Sequence, residues 1–143
     1  MVAGRQPDRL QLGPRRGVQQ DIYLMDLAAG SVSFLVDGGA SDHSPAWSSA
    51  GDRIAFFTSD NQGWSTWMAT GSNFSPTLLT DGANDFDPVW SPDGGSLAFT
   101  RRSDDFRQQV FAMRLDLGVP VPLDIEESFG LSVIGWTDAQ LGD

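Results

Sequence analysis

Apolar residues in this chain come in short runs broken by turn residues. Ile54-Ala55-Phe56-Phe57 is typical. Ile54 and Phe56 face one way and Ala55 and Phe57 the other, so both faces of this strand are apolar. That is the pattern of a strand held between neighbouring sheets. Ser91-Pro92-Asp93-Gly94 places Pro where a tight turn needs a fixed φ and Gly where it needs φ > 0. Asp37-Gly38-Gly39 and Asp81-Gly82 break the chain between such groups of strands. No stretch of ten or more residues shows helical periodicity bounded by caps. The pattern predicts an all-β protein with little or no helix.

The runs repeat. Asp42-His43-Ser44-Pro45-Ala46-Trp47-Ser48-Ser49-Ala50-Gly51-Asp52-Arg53-Ile54-Ala55-Phe56 returns 43 residues later as Asp85-Phe86-Asp87-Pro88-Val89-Trp90-Ser91-Pro92-Asp93-Gly94-Gly95-Ser96-Leu97-Ala98-Phe99. Pro45 matches Pro88, Trp47 matches Trp90, Gly51 matches Gly94 and Phe56 matches Phe99 without a gap. A period of about 40–45 residues marks a β-propeller blade of four antiparallel strands. One such unit cannot bury its own faces, so blades stack. Call the strands a to d. Strand a carries Pro-x-Trp, b carries Ile-Ala-Phe, c carries an aromatic and a Met, and d ends in Leu, as in Pro76-Thr77-Leu78-Leu79-Thr80. Asp21-Ile22-Tyr23-Leu24-Met25-Asp26 reads as an earlier strand c, with Met25 placed on Met68. Gln109-Val110-Phe111-Ala112-Met113 reads as a later one, shifted two residues by an insertion in Ser103-Asp104-Asp105-Phe106-Arg107. Asp8-Arg9-Leu10-Gln11-Leu12 aligns weakly with Asp52 to Phe56, and Trp136-Thr137 looks like a third strand-a Trp. The expected division is a basic arm with a degenerate strand at 1–18, a partial blade at 19–41, blades at 42–84 and 85–128, and a partial blade at 129–143.

Charge narrows the partners. The chain has 19 acidic and 9 basic residues in 143, for a net charge of −10. All the basic residues are Arg, and Arg5, Arg9, Arg15 and Arg16 crowd the start. An acidic body argues against nucleic acid, because phosphate binding needs a cationic face. There is no Cys, hence no disulfide or thiol chemistry. No segment approaches the ~18 apolar residues of a membrane span, and residues 1–16 lack the apolar run of a secretory signal. No membrane insertion is expected.

Asp85, Pro88, Trp90, Ser91, Pro92, Asp93, Gly94, Ala98 and Phe99, with Ile22, Tyr23, Met25 and Asp26 and with Leu79 and Thr80, form a pattern that resembles the TolB-type, WD-repeat-like β-propeller repeat. The resemblance covers residues 8 to 138 and is most specific in the second full copy. The first copy departs from it, with Ser49-Ala50 where the family has Pro-Asp, which predicts a less rigid a–b turn. The resemblance implies a propeller of about six blades used mostly for protein binding, with any chemistry in another domain. It also implies a periplasmic or extracellular location.

Three units are too few for a ring, since propellers typically have about four to eight blades. Either two copies of the chain complete one six-bladed ring as a strand-exchanged homodimer, or other blades, from a longer protein or another subunit, do so.

Trp47, Trp90 and Trp136 recur at the repeat period and are expected to pack between blades. Trp64 and Trp67 do not recur as Trp. Each is read as packing or, at a loop edge, as a stacking surface for a sugar or partner. His43, the single His, lies beside no motif-placed nucleophile, and no Gly-x-Ser-x-Gly, His-Glu-x-x-His or phosphate loop is present. It is kept as a binding candidate. Asp81, Asp85 and Asp87 crowd one loop and are weak calcium candidates, but the spacing of a calcium-binding loop is absent. No metal and no cofactor is predicted. The expected function is a non-catalytic scaffold for protein–protein interaction, with a basic partner favoured by the acidic body. The alternatives are a propeller fragment of a peptidase or carbohydrate-active enzyme, or a truncated piece with no activity of its own.

Overall fold

A computed structural model describes residues 9–12, 20–35, 40–70, 73–81, 84–124 and 135–136. Among them there is no helix. Eleven strands form three antiparallel sheets. β1 (Arg9–Leu12), β2 (Asp21–Asp26) and β3 (Ser31–Phe34) make a three-stranded sheet. β4 (Ser41–Trp47), β5 (Arg53–Asp60), β6 (Gly63–Thr70) and β7 (Ser75–Leu78) make the second. β8 (Asp85–Trp90), β9 (Ser96–Arg102), β10 (Gln108–Arg114) and β11 (Pro120–Pro122) make the third. Each four-stranded sheet runs in chain order, a to d, and the first runs b, c, d. The protein is all-β, built of antiparallel blades, two of four strands and one of three among the described residues, as the hydrophobic pattern implies.

Blades stack through the two apolar faces of their middle strands. Ile54, Phe56 and Ala69 meet Ile22 and Leu35 of the first sheet, while Ala55 meets Trp90 and Leu97 of the third. Phe56 and Phe99, one period apart, are both fully buried. A Phe buried to this degree contributes about 3 kcal/mol by transfer alone. β8 packs against β4, β5 and β6, whereas β7 and β11 meet only their own sheets. The a edges therefore converge and the d edges splay, which is the geometry of blades around an axis.

The repeat Trp residues fasten one a strand to the next. Trp90 Nε1 donates to the Ala46 carbonyl at 2.9 Å, and Trp136 Nε1 donates to the Val89 carbonyl at 3.1 Å. Ala46 and Val89 are equivalent positions, each just before its own Trp. Ser44 and Asp87 are also equivalent, and the Ser44 hydroxyl donates to the Asp87 carboxylate at 2.8 Å. Both sit in a β-bulge with positive φ (46° and 52°), just before the buried Pro45 and Pro88. Trp47 meets Phe74 edge-on. The remaining residues of the expected final strand, with most of the basic arm, lie outside the described residues.

Hydrogen-bond register corrects the sequence alignment of strands b and c. Leu35, Leu79 and Leu123 donate their amides to the carbonyls of Ile22, Thr66 and Val110. Each step is 44 residues. Tyr23, Trp67 and Phe111 are thus equivalent, and Met25 falls on Ala69 and Met113 rather than on Met68. The β9–β10 insertion is a single residue, because five residues separate the pair Arg102↔Gln108 where four separate Ser59↔Trp64. Leu10 pairs with Tyr23 as Phe56 does with Trp67, so Leu10 stands at the Phe56 position and not at that of Ile54. A four-residue strand alternating apolar and polar fits two registers that differ by two residues, and only the ladder chooses.

The a–b turns keep one shape despite different sequences. Gly51 and Gly94 take φ of 72° and 67°, and each donates its amide to the Ser three residues earlier at 2.9 Å. In the second turn Ser91 and the Gly95 amide bond the Asp93 carboxylate. In the first, Ser48 donates instead to Asp52 at 2.8 Å. The carboxylate has moved two positions along the turn and still accepts from the serine, which offsets the missing Pro-Asp.

Candidate functional site

The b–c hairpins and the d–a connections emerge at one end of the blades, and the side chains with chemical potential gather there. Cross-strand pairing sets His43 opposite Phe57 and Trp64 opposite Ser59. Phe86 begins the neighbouring blade and Arg102 ends its strand b. The imidazole of His43 stacks on Phe57 with centroids 4.9 Å apart, and its Nε2 lies 3.1 Å from the Ser59 hydroxyl. Trp64 meets Phe86 edge-on at 5.1 Å and Phe57 at 5.9 Å. The Arg102 guanidinium lies 4.0 Å above the Trp64 ring and 5.6 Å from Phe106. A ladder of rings and one cation therefore runs from His43, half-buried between blades, to Phe106, which is 65% exposed. Phe106 has a φ of 66°, an uncommon conformation for a bulky residue, and its amide donates to the Ser103 carbonyl across the loop.

Beneath the ladder lies an ion pair. Asp85 is fully buried and takes two hydrogen bonds from Arg101, at 2.7 and 2.8 Å. Arg101 also lies 4.3 Å over Phe111. The hydrogen bonds from Arg101 to Asp85 hold its guanidinium even more firmly in the charged form, outweighing the opposing effect of burial. In the preceding blade the buried Asp42 stands opposite Thr58 instead. His43 is pushed the other way. Burial lowers its proton affinity, and the charge of Asp87 offsets part of that.

The two tryptophan candidates divide. Trp64 joins His43 in the ladder. Trp67 lies on the other face of β6, packed against the Ile54–Phe56 cluster, and donates its Nε1 to the Thr58 hydroxyl at 3.0 Å. Its equivalents Tyr23 and Phe111 are also aromatic, so Trp67 occupies a repeat packing position. The three aspartates do not converge. Asp81 is exposed, Asp85 is taken by Arg101, and Asp87 accepts from Ser44. Among the described residues no three metal-ligating side chains come together. Arg102, Phe57 and Phe86 were not candidates in the sequence, since only the stacking of two blades brings them to Trp64. The opposite end of the blades carries an open groove lined by Arg53, Gly94, Ser96, Arg114 and Asp116. Its arginines are matched by Asp52 and Asp116.

No protein-family model matches the chain, and no curated protein matches it. Solved structures do. The chain is similar to a putative TolB from Agrobacterium tumefaciens, with 27% identity over 77% of this chain and 42% of that one, at a TM-score of 0.66. TolB from Acinetobacter baumannii is similar with 20% identity over 72% of this chain and 26% of that one, at 0.62. The β-propeller domain of the trilobed protease from Pyrococcus furiosus is similar with 17% identity over 84% and 37%, also at 0.62. The chain thus spans less than half the length of each. The stacked blades, the Trp fastening of their a strands and these likenesses agree: the chain folds as blades of a TolB-like β-propeller.

Proposed function

We propose that this chain is part of a non-catalytic propeller scaffold that binds a protein or peptide at the end bearing His43, Trp64 and Arg102. The observation that carries this is the composition of that end. Its side chains are stacked aromatics and an arginine, the residue types that dominate binding hot spots. The contact between His43 and Ser59 resembles half of a catalytic pair. However, Ser59 sits within β5 and is paired on both sides, with Ser41 and with Trp64. Its neighbouring amides are engaged in the sheet and form no oxyanion hole. The net charge of −10 favours a partner that is basic overall, with affinity that falls as salt rises. Affinity selection on the immobilised chain at low and high salt tests this, and capture that is indifferent to both salt and Trp64→Ala refutes it.

A second reading rests on the likeness to the trilobed protease propeller, which is one of fold alone. In it, the chain is the propeller part of a peptidase. A propeller that gates a peptidase requires a hydrolase domain on the same chain or an associated one, and activity of the complete protein on peptides would favour it.

Ring completion is part of the proposal. The outward face of the first sheet carries Tyr23, Met25, Val32 and Phe34, with Val32 46% and Phe34 50% exposed. On the third sheet Val119, Val121 and Leu123 are 62%, 56% and 37% exposed. Of these, Tyr23, Met25 and Leu123 correspond to Trp67, Ala69 and Leu79, which pack in the clusters between blades. A second copy supplies the missing neighbours in the simplest closed arrangement. Light scattering after size exclusion is expected to give twice 15.5 kDa. A mass of 15.5 kDa refutes the homodimer and leaves other blades as the complement. No helix among the described residues is long and apolar enough to cross a membrane, and the TolB likeness favours a periplasmic or extracellular site.

A further inference from the structure

Arg102 stands apart among the arginines whose side chains are described. Arg53, Arg101, Arg107 and Arg114 each lie against a carboxylate, at 3.4, 2.7, 3.3 and 2.7 Å. Arg102 makes no ion pair with a described residue, in a chain where acids outnumber bases by 19 to 9. Its guanidinium instead lies over the Trp64 ring, 4.0 Å from its centroid. Stacking occupies the π face of a guanidinium and leaves the N–H donors at its edge directed outward, where a carboxylate binds with two parallel hydrogen bonds. Two carboxylates near Arg102 are already engaged. Asp85 is held by Arg101, and Asp105 by Arg107 and Ser103. The base of the site is rigid, since Trp64 is wedged between Phe57 and Phe86 of adjacent blades. A cation fixed in this way loses little conformational freedom on binding.

We infer that the Arg102–Trp64 pair is a carboxylate-reading subsite, which takes an Asp or Glu side chain or a chain-terminal carboxylate of the partner. This rests on the scaffold reading above. The subsite sets the register of a segment drawn in by the acidic body, so the partner presents one carboxylate among basic or neutral residues. Phe106, exposed beside Arg102, supplies an apolar contact for the neighbouring residue of that segment.

The test is a titration of the full chain by proton–nitrogen NMR, following the indole N–H of Trp64 and the Nε–H of Arg102. Three probes are added: acetyl-Gly-Glu-Gly-amide, acetyl-Gly-Gln-Gly-amide, and acetyl-Gly-Gly-Gly with a free terminal carboxylate. Saturable shifts are expected from a carboxylate probe and not from the glutamine probe, with apparent affinity about tenfold weaker in Arg102→Gln. Arg102→Lys keeps the charge and loses the fork, and is expected to recover only part of the affinity. Response to the glutamate probe alone assigns a side chain, and response to the free terminus alone assigns a chain end. Both outcomes uphold the subsite. Equal response to glutamine and glutamate, no saturable shift at millimolar probe, or undiminished affinity in Arg102→Gln overturns it. If the subsite fails while salt-sensitive partner capture persists, the scaffold reading stands and only the subsite is lost.

Discussion

Replacing Arg101 by Met tests the ion pair beneath the candidate site. Asp85 has a side-chain exposure of 0% and takes both its strong hydrogen bonds from Arg101. Met keeps an apolar stem but removes both donors, the charge and the guanidinium that lies over Phe111 and Phe99. Breaking a fully buried pair this way costs about 3–5 kcal/mol, because the remaining charge is stranded. The Arg101 side chain is 29% exposed, so water reaches the vacated space, and the expected cost is about 2–3 kcal/mol. Adding Asp85→Asn removes the stranded charge, so the double variant is expected to be more stable than Arg101→Met alone, with a coupling of about 1–2 kcal/mol. Urea unfolding at one fixed protein concentration measures all four corners of the cycle, the concentration mattering because assembly contributes to stability. A cost below about 0.5 kcal/mol for Arg101→Met, or strict additivity in the double variant, would refute the view of Asp85 as a buried charge held by one partner.

Four further outcomes are expected. Trp90→Phe removes the bond to the Ala46 carbonyl and weakens the stacking of Arg53, and is expected to cost about 1–2 kcal/mol in the same unfolding assay. Gly51→Ala meets no atom within 4 Å but must hold a φ of 72°, so about 1 kcal/mol of backbone strain is expected, where a surface Gly→Ala at ordinary φ would stabilise. His43 binds a proton less readily when folded than its ordinary value of 6.5 allows. Its contribution is complete above that pH and is lost as pH falls through it toward the lowered folded value, so stability is expected to drop there. NMR titration of this single imidazole, and a flatter pH profile in His43→Gln, check it. The carboxylates of Asp52 and Asp93 are held below 3.8 chiefly by Ser48 and Ser91. Their contribution is present above that pH and lost as acid protonates the folded state, so Ser48→Ala with Ser91→Ala is expected to flatten the acid limb of a stability–pH curve.

Residues that act within one blade were legible in the sequence. Strands β4 to β10, their turns and the paired Phe56 and Phe99 follow from alternation and the 43-residue period, since a strand's buried faces and a turn's positive φ are set by nearby side chains. Trp47, Trp90 and Trp136 were read as packing between blades, and Trp90 and Trp136 each bond the a strand of the preceding blade. The 44-residue register of strands c and d was not legible. Met25 resembles Met68, but identity of side chain carries no information about which carbonyl an amide meets.

The amino-acid sequence by itself determined the all-β class, the four-strand unit and the excess of negative charge, because each depends only on local pattern or on composition. Tertiary structure alone decided that Arg101 holds Asp85 while Arg102, one residue on, lies on Trp64 of the neighbouring blade. It also separated Trp64 from Trp67, three residues apart, sending one to the loop ladder and the other to the core. The physical reason is that adjacent residues of a strand point to opposite faces, and what each face meets is set by the strand register and by the neighbouring blade.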